Sequence, residues 1–399
     1  MDLASFPLVE IGAIANAQNA WVALLRAAGE PFDEAALQAL FATPDLLMAS
    51  APLDCVVLLD SAAVLTPAVL DLLPARRVVL ALRAQGLVPD EGAAQLAQAQ
   101  ARGYRILLDG ALPDGAARQP MLRGVAWNDA ARTDTDTDAA RRPAPGALPV
   151  LFGPHLAYGV DSMAAFHACE NAGFAWFAGD YALDTGAEQE QGDGSSRKRL
   201  LTLLALLARD ADSHELENQL KQDPALSYHL LKLVNSAAFA GGAAVTTFQQ
   251  AIQRIGRRQL QRWLQLLLYA RRQPDGAPNL LLPLAALRGA ALEEMCRRDG
   301  GDRDRQDLAF MAGVFSLLDR LLRMPMAEIV RDLRLPDEVE AALLRREGLL
   351  GRRLRLAQEG ALDAAALAAL LDGAGIDAAA WWQVRLQACH WALQVARNV

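Results

Sequence analysis

The sequence of 399 residues is poor in histidine and cysteine, which excludes the common zinc and disulfide frameworks. Its five histidines and four cysteines are scattered, without a Cys-x-x-Cys or a His-Glu-x-x-His pattern. Isolated cysteines of this kind favour reduced thiols in a cytosol over structural bridges. We therefore expect a cytoplasmic protein without a zinc motif.

The sequence also lacks positive net charge and long hydrophobic runs. It has 47 acidic and 39 basic residues, a formal net charge of -8, so no overall charge attracts nucleic acid or an anionic membrane. The longest apolar runs, such as residues 203–208, are too short to span a bilayer. The N-terminus shows no basic segment followed by an apolar one, which a secretory signal would need. We expect no membrane partner and rank nucleic acid last.

The first half of the chain alternates short apolar runs with helical stretches. Runs at residues 56–59, 77–82 and 104–108 predict buried strands, and residues 150–152 and 174–177 predict weaker ones. Helices are predicted near residues 67–72 and over residues 91–102. Strands separated by helices are typical of parallel β/α units. This half therefore predicts a β/α barrel or a doubly wound sheet.

Two aspartates, Asp60 and Asp109, come directly after predicted strands. In a β/α barrel the carboxyl ends of the strands form the rim of the active site. Carboxylates there either bind a divalent metal or cap the next helix. Both interpretations stay open at this level, and capping is the commoner case.

Two polar stretches divide the chain. Residues 129–149 combine an Asp/Thr alternation with a Pro/Ala-rich run and predict a flexible insertion. Residues 184–196 are polar, contain glycine and precede a basic cluster, which indicates a domain boundary. We predict an α/β domain over residues 1–185, a linker over 186–199 and an all-α domain over 200–399.

Beyond the linker, apolar residues recur at the helical period. Asp212 with Glu215, and Thr247 with Gln250, are typical of capping boxes at two helix starts. Gly256 is placed to end the second of these helices. The second half is therefore predicted to be all α-helical.

Two segments of this half, LKQDPALSYHLLKLVNSAAFA (residues 220–240) and TTFQQAIQRIGRRQLQRWL (residues 246–264), resemble the HDOD domain of bacterial signalling proteins. The family is related to metal-dependent HD phosphohydrolases. Where relatives often show Ala-Gly-Leu-Leu-His-Asp, this chain reads AGVFSLLD over residues 312–319. Without the His-Asp pair two metal ligands are missing, so the resemblance implies no phosphohydrolase activity here.

The first half is similar to a degenerate EAL domain, the β/α barrel of cyclic di-GMP phosphodiesterases. The family's Glu-Ala-Leu glutamate falls at Val22, and its closing glutamine falls at Ala178. A strand that ends in paired aspartates keeps Asp109 but continues with Gly110, and Asp161 stands for the glutamate of Gly-Val-Glu-Thr. Asp109 and Asp161 are thus the remnants of the family's acidic site.

The resemblance implies that the metal-binding site is lost. Phosphodiester cleavage by such a site needs several carboxylates for two cations and a base that orients water. The family's Lys-x-Asp strand reads Ala-Trp-Asn over residues 126–128. We therefore expect no catalytic residues, no cofactor and no metal. Because about 185 residues is short for a complete barrel, we expect an irregular closure.

The fold class predicted is α/β plus all-α, with a degenerate EAL-like β/α barrel followed by an HDOD helical domain. The predicted function is non-catalytic signal transduction through recognition of other signalling proteins, with Asn235, Ser236 and Phe239 as candidate contact residues. Asn235 alternatively caps a helix or satisfies buried backbone groups. The remaining functional alternatives are a cyclic di-GMP receptor, which would use backbone and arginine contacts, and a weak cyclic dinucleotide phosphodiesterase.

Overall fold

The computed structural model describes residues 6–27, 32–41, 50–83, 92–110, 124–129, 148, 153–184, 202–206, 209, 211–221, 228, 230–231, 234–235, 245–267, 269, 280–358 and 364–398. The chain divides into two compact units, Met1–Asp184 with Glu359–Leu386, and Thr185–Gln358 with Gln387–Val399. Most of the predicted insertion, residues 130–147, and the predicted strand at 150–152 lie outside the described residues.

The first unit contains a closed barrel of eight strands that follow one another in chain order. The first strand is antiparallel to both of its neighbours, β2 and β8, and all other neighbouring pairs are parallel. The barrel confirms one of the two architectures that the strand pattern predicted. The strands are β1 (Glu10–Asn16), β2 (Trp21–Ala27), β3 (Asp54–Leu59), β4 (Val78–Arg83), β5 (Arg105–Asp109), β6 (Gly124–Asn128), β7 (Leu156–Tyr158) and β8 (Trp176–Phe177).

Helices accompany the strands of this unit, and their starts follow from local capping. The Thr66 hydroxyl accepts a hydrogen bond from the backbone of Val69, and Pro67 occupies the first helical position. Ser162 caps a later helix in the same way through the backbone of Ala165. The helices are α1 (Glu34–Phe41), α2 (Pro67–Leu72), α3 (Ala93–Ala101) and α4 (Met163–Ala172).

Small and branched apolar side chains fill the interior of the barrel. Successive residues of a strand point to opposite faces, so every second residue of each strand contributes to this core. Four of the nine buried members are alanines, which fit the narrow interior of an eight-stranded barrel. The buried members are Ile14, Ala23, Val56, Val79, Ala81, Leu107, Ala126, Leu156 and Ala178.

The barrel closes over its shortest strands. Beyond β8 the backbone of Gly179 has a φ of 138°, and a Cβ atom there would lie 2.2 Å from the carbonyl oxygen of Val160. Val160 in turn donates a hydrogen bond to Ala178 and accepts one from Tyr181, each at 3.0 Å. Glycine is required because any side chain would collide with this closing turn.

The C-terminal helices α14 (Ala364–Ala374) and α15 (Ala378–Asn398) follow the second unit in the chain, yet residues 364–386 group with the barrel unit. Trp382 is buried beside Phe6, with ring centroids 6.2 Å apart. Arg385 donates to the carbonyl of Ile11. Among the described residues no single helix is long and apolar enough to cross a membrane. Helices α14 and α15 together have the required length and apolar composition, but the pair is bent by 86°.

The second unit is all α-helical in its described residues, as predicted. Asp212 accepts hydrogen bonds from the backbone of His214 and Glu215, and Gln250 and Thr247 cap each other reciprocally. The helices are α5 (Ser213–Lys221), α6 (Phe248–Ile255), α7 (Arg257–Leu267), α8 (Leu281–Arg298), α9 (Arg303–Phe315), α10 (Leu318–Leu322), α11 (Met326–Leu333), α12 (Asp337–Arg345) and α13 (Gly348–Gln358).

Helices α8 and α9 pack directly against each other at two glycines. A Cβ atom on Gly313 of α9 would lie 2.6 Å from the backbone of Arg288 and Gly289 of α8. A Cβ atom on Gly289 would likewise lie 2.8 Å from Val314. The two glycines let the backbones approach directly, which fixes the position of the residues at the end of α9.

Candidate functional site

Polar side chains stand at the carboxyl ends of five consecutive barrel strands. Arg83, Asp109, Asn128 and Tyr158 are the last residues of β4, β5, β6 and β7, and Asp60 follows β3 directly. Each lies two residues beyond a residue that packs in or against the barrel interior, so these five residues continue the inward-facing series of their strands. We call them the mouth ring. In a β/α barrel this edge is where functional groups gather.

Two side-chain pairs organise the mouth ring. Arg83 forms an ion pair with Asp60 at 2.6 Å. The Tyr158 hydroxyl lies 2.9 and 2.8 Å from the two carboxylate oxygens of Asp109 and donates to them. Tyr158 belongs to β7 and Asp109 to β5, so this hydrogen bond reaches across β6. These two pairs thus engage four of the five ring residues, and the side-chain oxygen of the fifth, Asn128, is buried without a hydrogen-bond partner among the described residues.

Burial shapes the protonation behaviour of the second pair. Asp109 is only 6% exposed, and burial raises the pKa of its carboxyl, although the Tyr158 hydrogen bond and the Arg83 charge partly offset this. Burial raises the pKa of Tyr158 strongly, and the neighbouring Asp109 charge adds to the shift. The phenol therefore keeps its proton at neutral pH and remains the donor to Asp109.

The other positions marked by the EAL resemblance lie in or near the barrel. Val22 packs against the interior cluster and Ala178 belongs to it. Asp161 is exposed, whereas the preceding Val160 is completely buried. The mouth ring therefore contains one of the two predicted acidic remnants, Asp109, and not the other.

The donors of the mouth ring do not suit a pair of divalent cations. Magnesium and manganese prefer several carboxylate oxygens, but Asp109 is engaged by Tyr158 and Asp60 by Arg83. A guanidinium is always protonated, and at about 5 Å it would repel a divalent cation by about 2 kcal/mol in water and about 7 kcal/mol at an effective dielectric of 20. Within the described part of the chain, no three His, Cys, Asp or Glu side chains lie together as a metal site.

Residues 312–319, where HDOD relatives often have a His-Asp pair that this chain lacks, carry a different polar arrangement. Ser316, at the end of α9, donates to the carbonyl of Gly313 at 2.7 Å and accepts from the Arg288 guanidinium at 3.3 Å. Tyr269 donates to the carbonyl of Val314 at 2.7 Å. Arg288 and Ser316 are both buried. The hydroxyl of this segment therefore accepts from a buried guanidinium of α8, and both groups are poor metal donors.

Asn235, a predicted contact residue, holds two backbone segments together. Its side-chain nitrogen donates to the carbonyls of Leu231 and Val245, at 2.9 and 2.8 Å, and its oxygen accepts from the backbone of Val245 at 2.7 Å. The structure thus supports the backbone-satisfying interpretation of this residue. Ser236 and Phe239 lie outside the described residues. Their contact role, and that of Asn235, remains a prediction.

Sequence reasoning missed two members of the mouth ring, Arg83 and Tyr158. Arg83 stands two residues after the buried Ala81 at the end of a predicted strand, so strand alternation alone could have placed it at the rim. Tyr158 ends a strand of three residues, which is too short to give a periodic signal.

Comparison with known proteins assigns part of the second unit to a family. Residues 198–328 match the HDOD domain, so this part of the chain is an HDOD domain, as its motifs predicted. The EAL identity of the barrel remains a prediction. The chain is thus a two-unit protein with a closed α/β barrel and a helical HDOD domain.

Two curated proteins and one solved structure are similar to parts of the chain. The cyclic di-GMP phosphodiesterase CdgJ of Vibrio cholerae is 29% identical over 202 residues, which cover 50% of this chain and 46% of CdgJ. The uncharacterized protein YuxH of Bacillus subtilis is 31% identical over 127 residues, 31% of each chain. An HDOD domain protein of unknown function from Geobacter sulfurreducens is 13% identical, with 40% of this chain and 70% of that chain covered and a TM-score of 0.28. The chain spans less than half the length of the curated relatives it matches.

The raised pKa of Asp109 predicts a pH dependence of barrel stability. The folded state holds this proton more tightly than the unfolded chain, so the contribution of Asp109 to stability falls as the pH rises from about 4 through the raised pKa. In Asp109→Asn this decline is absent. Hydrogen exchange of the β5 amides is measured for wild type and variant from pH 4 to 7. As the pH rises, the protection of these amides should fall in the wild type relative to Asp109→Asn.

Asp71→Asn, at an exposed ion pair with Arg102, is the matched control and should leave the β5 profile unchanged. A difference in β5 amide protection between wild type and Asp109→Asn that stays constant over the pH range would contradict the assignment of this titration to Asp109.

The hydrogen bonds of Asn235 predict that truncation of its side chain destabilises the HDOD domain. Asn235→Ala removes three contacts to backbone groups and should lower the free energy of unfolding of the HDOD domain by about 1–2 kcal/mol. Urea unfolding followed by circular dichroism measures this, with Asn218→Ala on the exposed face of α5 as control. Unchanged stability in Asn235→Ala together with lost partner binding would instead favour a direct contact role.

Proposed function

We propose that this protein is a non-catalytic bacterial signalling protein that acts by recognising other proteins. The observation that supports this proposal most directly is the state of Asp109. Both of its oxygens accept from Tyr158, and the nearest cation identified in the ring, Arg83, is itself part of an ion pair. A carboxylate used in this way is a poor ligand for a metal pair that would activate water.

The HDOD domain and the relatives support a role in signalling. CdgJ is named as a cyclic di-GMP phosphodiesterase, and its similarity to this chain extends over 202 residues. We propose that the present chain works in the same kind of signalling and has kept the architecture while its barrel no longer turns over the nucleotide.

We propose that Tyr228 and the predicted contact residues of the HDOD segment 220–240 form the recognition surface. Tyr228 in this segment has 65% of its surface exposed, which is unusual for a large aromatic residue. Exposed aromatic side chains often supply much of the binding energy at protein interfaces. Phe239 belongs to the same segment and is, with Ser236, a predicted contact residue.

A second candidate function is that of a cyclic di-GMP receptor with little or no turnover. Arg83 favours it, because guanidinium groups bind phosphate oxygens well and this one is 61% exposed at the mouth of the barrel. Its ion pair with Asp60 reduces its attraction for phosphate, since the carboxylate neutralises the charge that an anion would meet. Calorimetric titration with cyclic di-GMP distinguishes the two candidates, because a receptor gives saturable heat.

The proposal predicts no nucleotide turnover. The full chain, incubated with cyclic di-GMP and either magnesium or manganese, should release no linear dinucleotide above the buffer background, as measured by liquid chromatography. Asp109→Ala should behave like the wild type. Turnover by the wild type that disappears in Asp109→Ala would identify the protein as a phosphodiesterase and overturn the proposal.

The recognition surface predicts a loss of partner capture on truncation of Phe239. Cross-linking of the tagged full chain in the cells that express it, followed by mass spectrometry, should recover partners whose yield falls by about tenfold or more in Phe239→Ala. Leu349→Ala, an exposed apolar residue of α13, is the matched control and should retain them. Equal recovery in Phe239→Ala and wild type would remove this segment from the interface.

A further inference from the structure

We propose that the Arg83 guanidinium is the resident cation of the mouth ring, that it keeps divalent metal out of the wild-type barrel, and that replacing this one residue by glutamate creates a metal site. The inference rests on the proposed non-catalytic function and names the residue that prevents metal binding. It concerns binding of manganese alone, so it is measured without any nucleotide.

The position of Arg83 relates it to both acidic groups of the mouth ring. It pairs with Asp60 at 2.6 Å, and it stands opposite Asp109 in the register of β4 and β5. Its charge also acts on Asp109, where it opposes the effect of burial on the carboxyl pKa. A single guanidinium thus supplies the positive charge that balances carboxylates from the two neighbouring strand ends.

The same geometry explains why a glutamate at this position would bind metal. Residues 60, 83 and 109 stand at the ends of the consecutive parallel strands β3, β4 and β5, which are spaced about 4.8 Å apart. Arg83→Glu removes the repelling cation, releases Asp60 from its ion pair and adds a third carboxylate beside Asp60 and Asp109. Asp109 accepts only the single proton of the Tyr158 hydroxyl, so its oxygens keep lone pairs for one metal ion. Manganese binds such sets of oxygen donors. Because Arg83 is 61% exposed, the shorter side chain leaves no buried cavity.

The test compares manganese binding by the full-length wild type, Arg83→Glu and Arg83→Gln, using calorimetry and thermal unfolding. Arg83→Glu is expected to bind one manganese ion at least about tenfold more tightly than wild type. Its melting temperature should rise by about 2 °C or more at saturation, because a ligand that binds only the folded state stabilises it. A second substitution, Asp109→Asn, should abolish both effects. Arg102→Glu, at the exposed ion pair with Asp71, is the matched charge control and should bind like the wild type.

Manganese binding by Arg83→Glu that is no tighter than by Arg102→Glu would overturn the inference and leave the non-catalytic proposal standing. Manganese binding by the wild type that Asp109→Asn removes would overturn both. If Arg83→Glu does not fold, Arg83→Gln decides the question. Loss of the guanidinium alone should raise manganese affinity above that of the wild type, and equal affinity would overturn the inference.

Discussion

The alternation of side chains along the strands of a closed barrel is the constraint on which the candidate site depends. Because every second residue faces the interior, residues two positions beyond the core residues of neighbouring strands meet at the same edge. Arg83 and Asp109 are opposite each other in register for this reason, and Asn128 and Tyr158 are opposite each other two strands away. A change of register by one residue would separate all of them.

The groups brought together in this way neutralise one another. An ion pair and one bifurcated hydrogen bond, from the Tyr158 hydroxyl to both Asp109 oxygens, engage four of the five residues in the mouth ring. Burying a carboxylate is costly unless it is hydrogen-bonded, and the Tyr158 hydroxyl meets that requirement for Asp109 without a metal. The ring is therefore compatible with a barrel kept for its architecture.

The helical unit uses arginine in a comparable way. Arg288 is buried and donates to Ser316 in the segment where the HDOD resemblance places a His-Asp pair. The direct contact of α8 and α9 at Gly289 and Gly313 brings these two groups together. In each unit an arginine thus engages a polar side chain at the end of a strand or helix, Asp60 in the barrel and Ser316 in the helical unit.

The sequence by itself determined the class of the two halves, the helix starts and the HDOD resemblance of residues 220–264, since period, capping and motif spacing are local properties of the chain. The family match over residues 198–328 confirms that resemblance. It also pointed to Asp109 as a strand-end carboxylate. Only the tertiary structure decided that the strands close into a barrel, that Tyr158 on a strand of three residues reaches Asp109, and that Arg83 pairs with Asp60. These are contacts between residues distant in the chain, and no local pattern encodes which strand ends become neighbours.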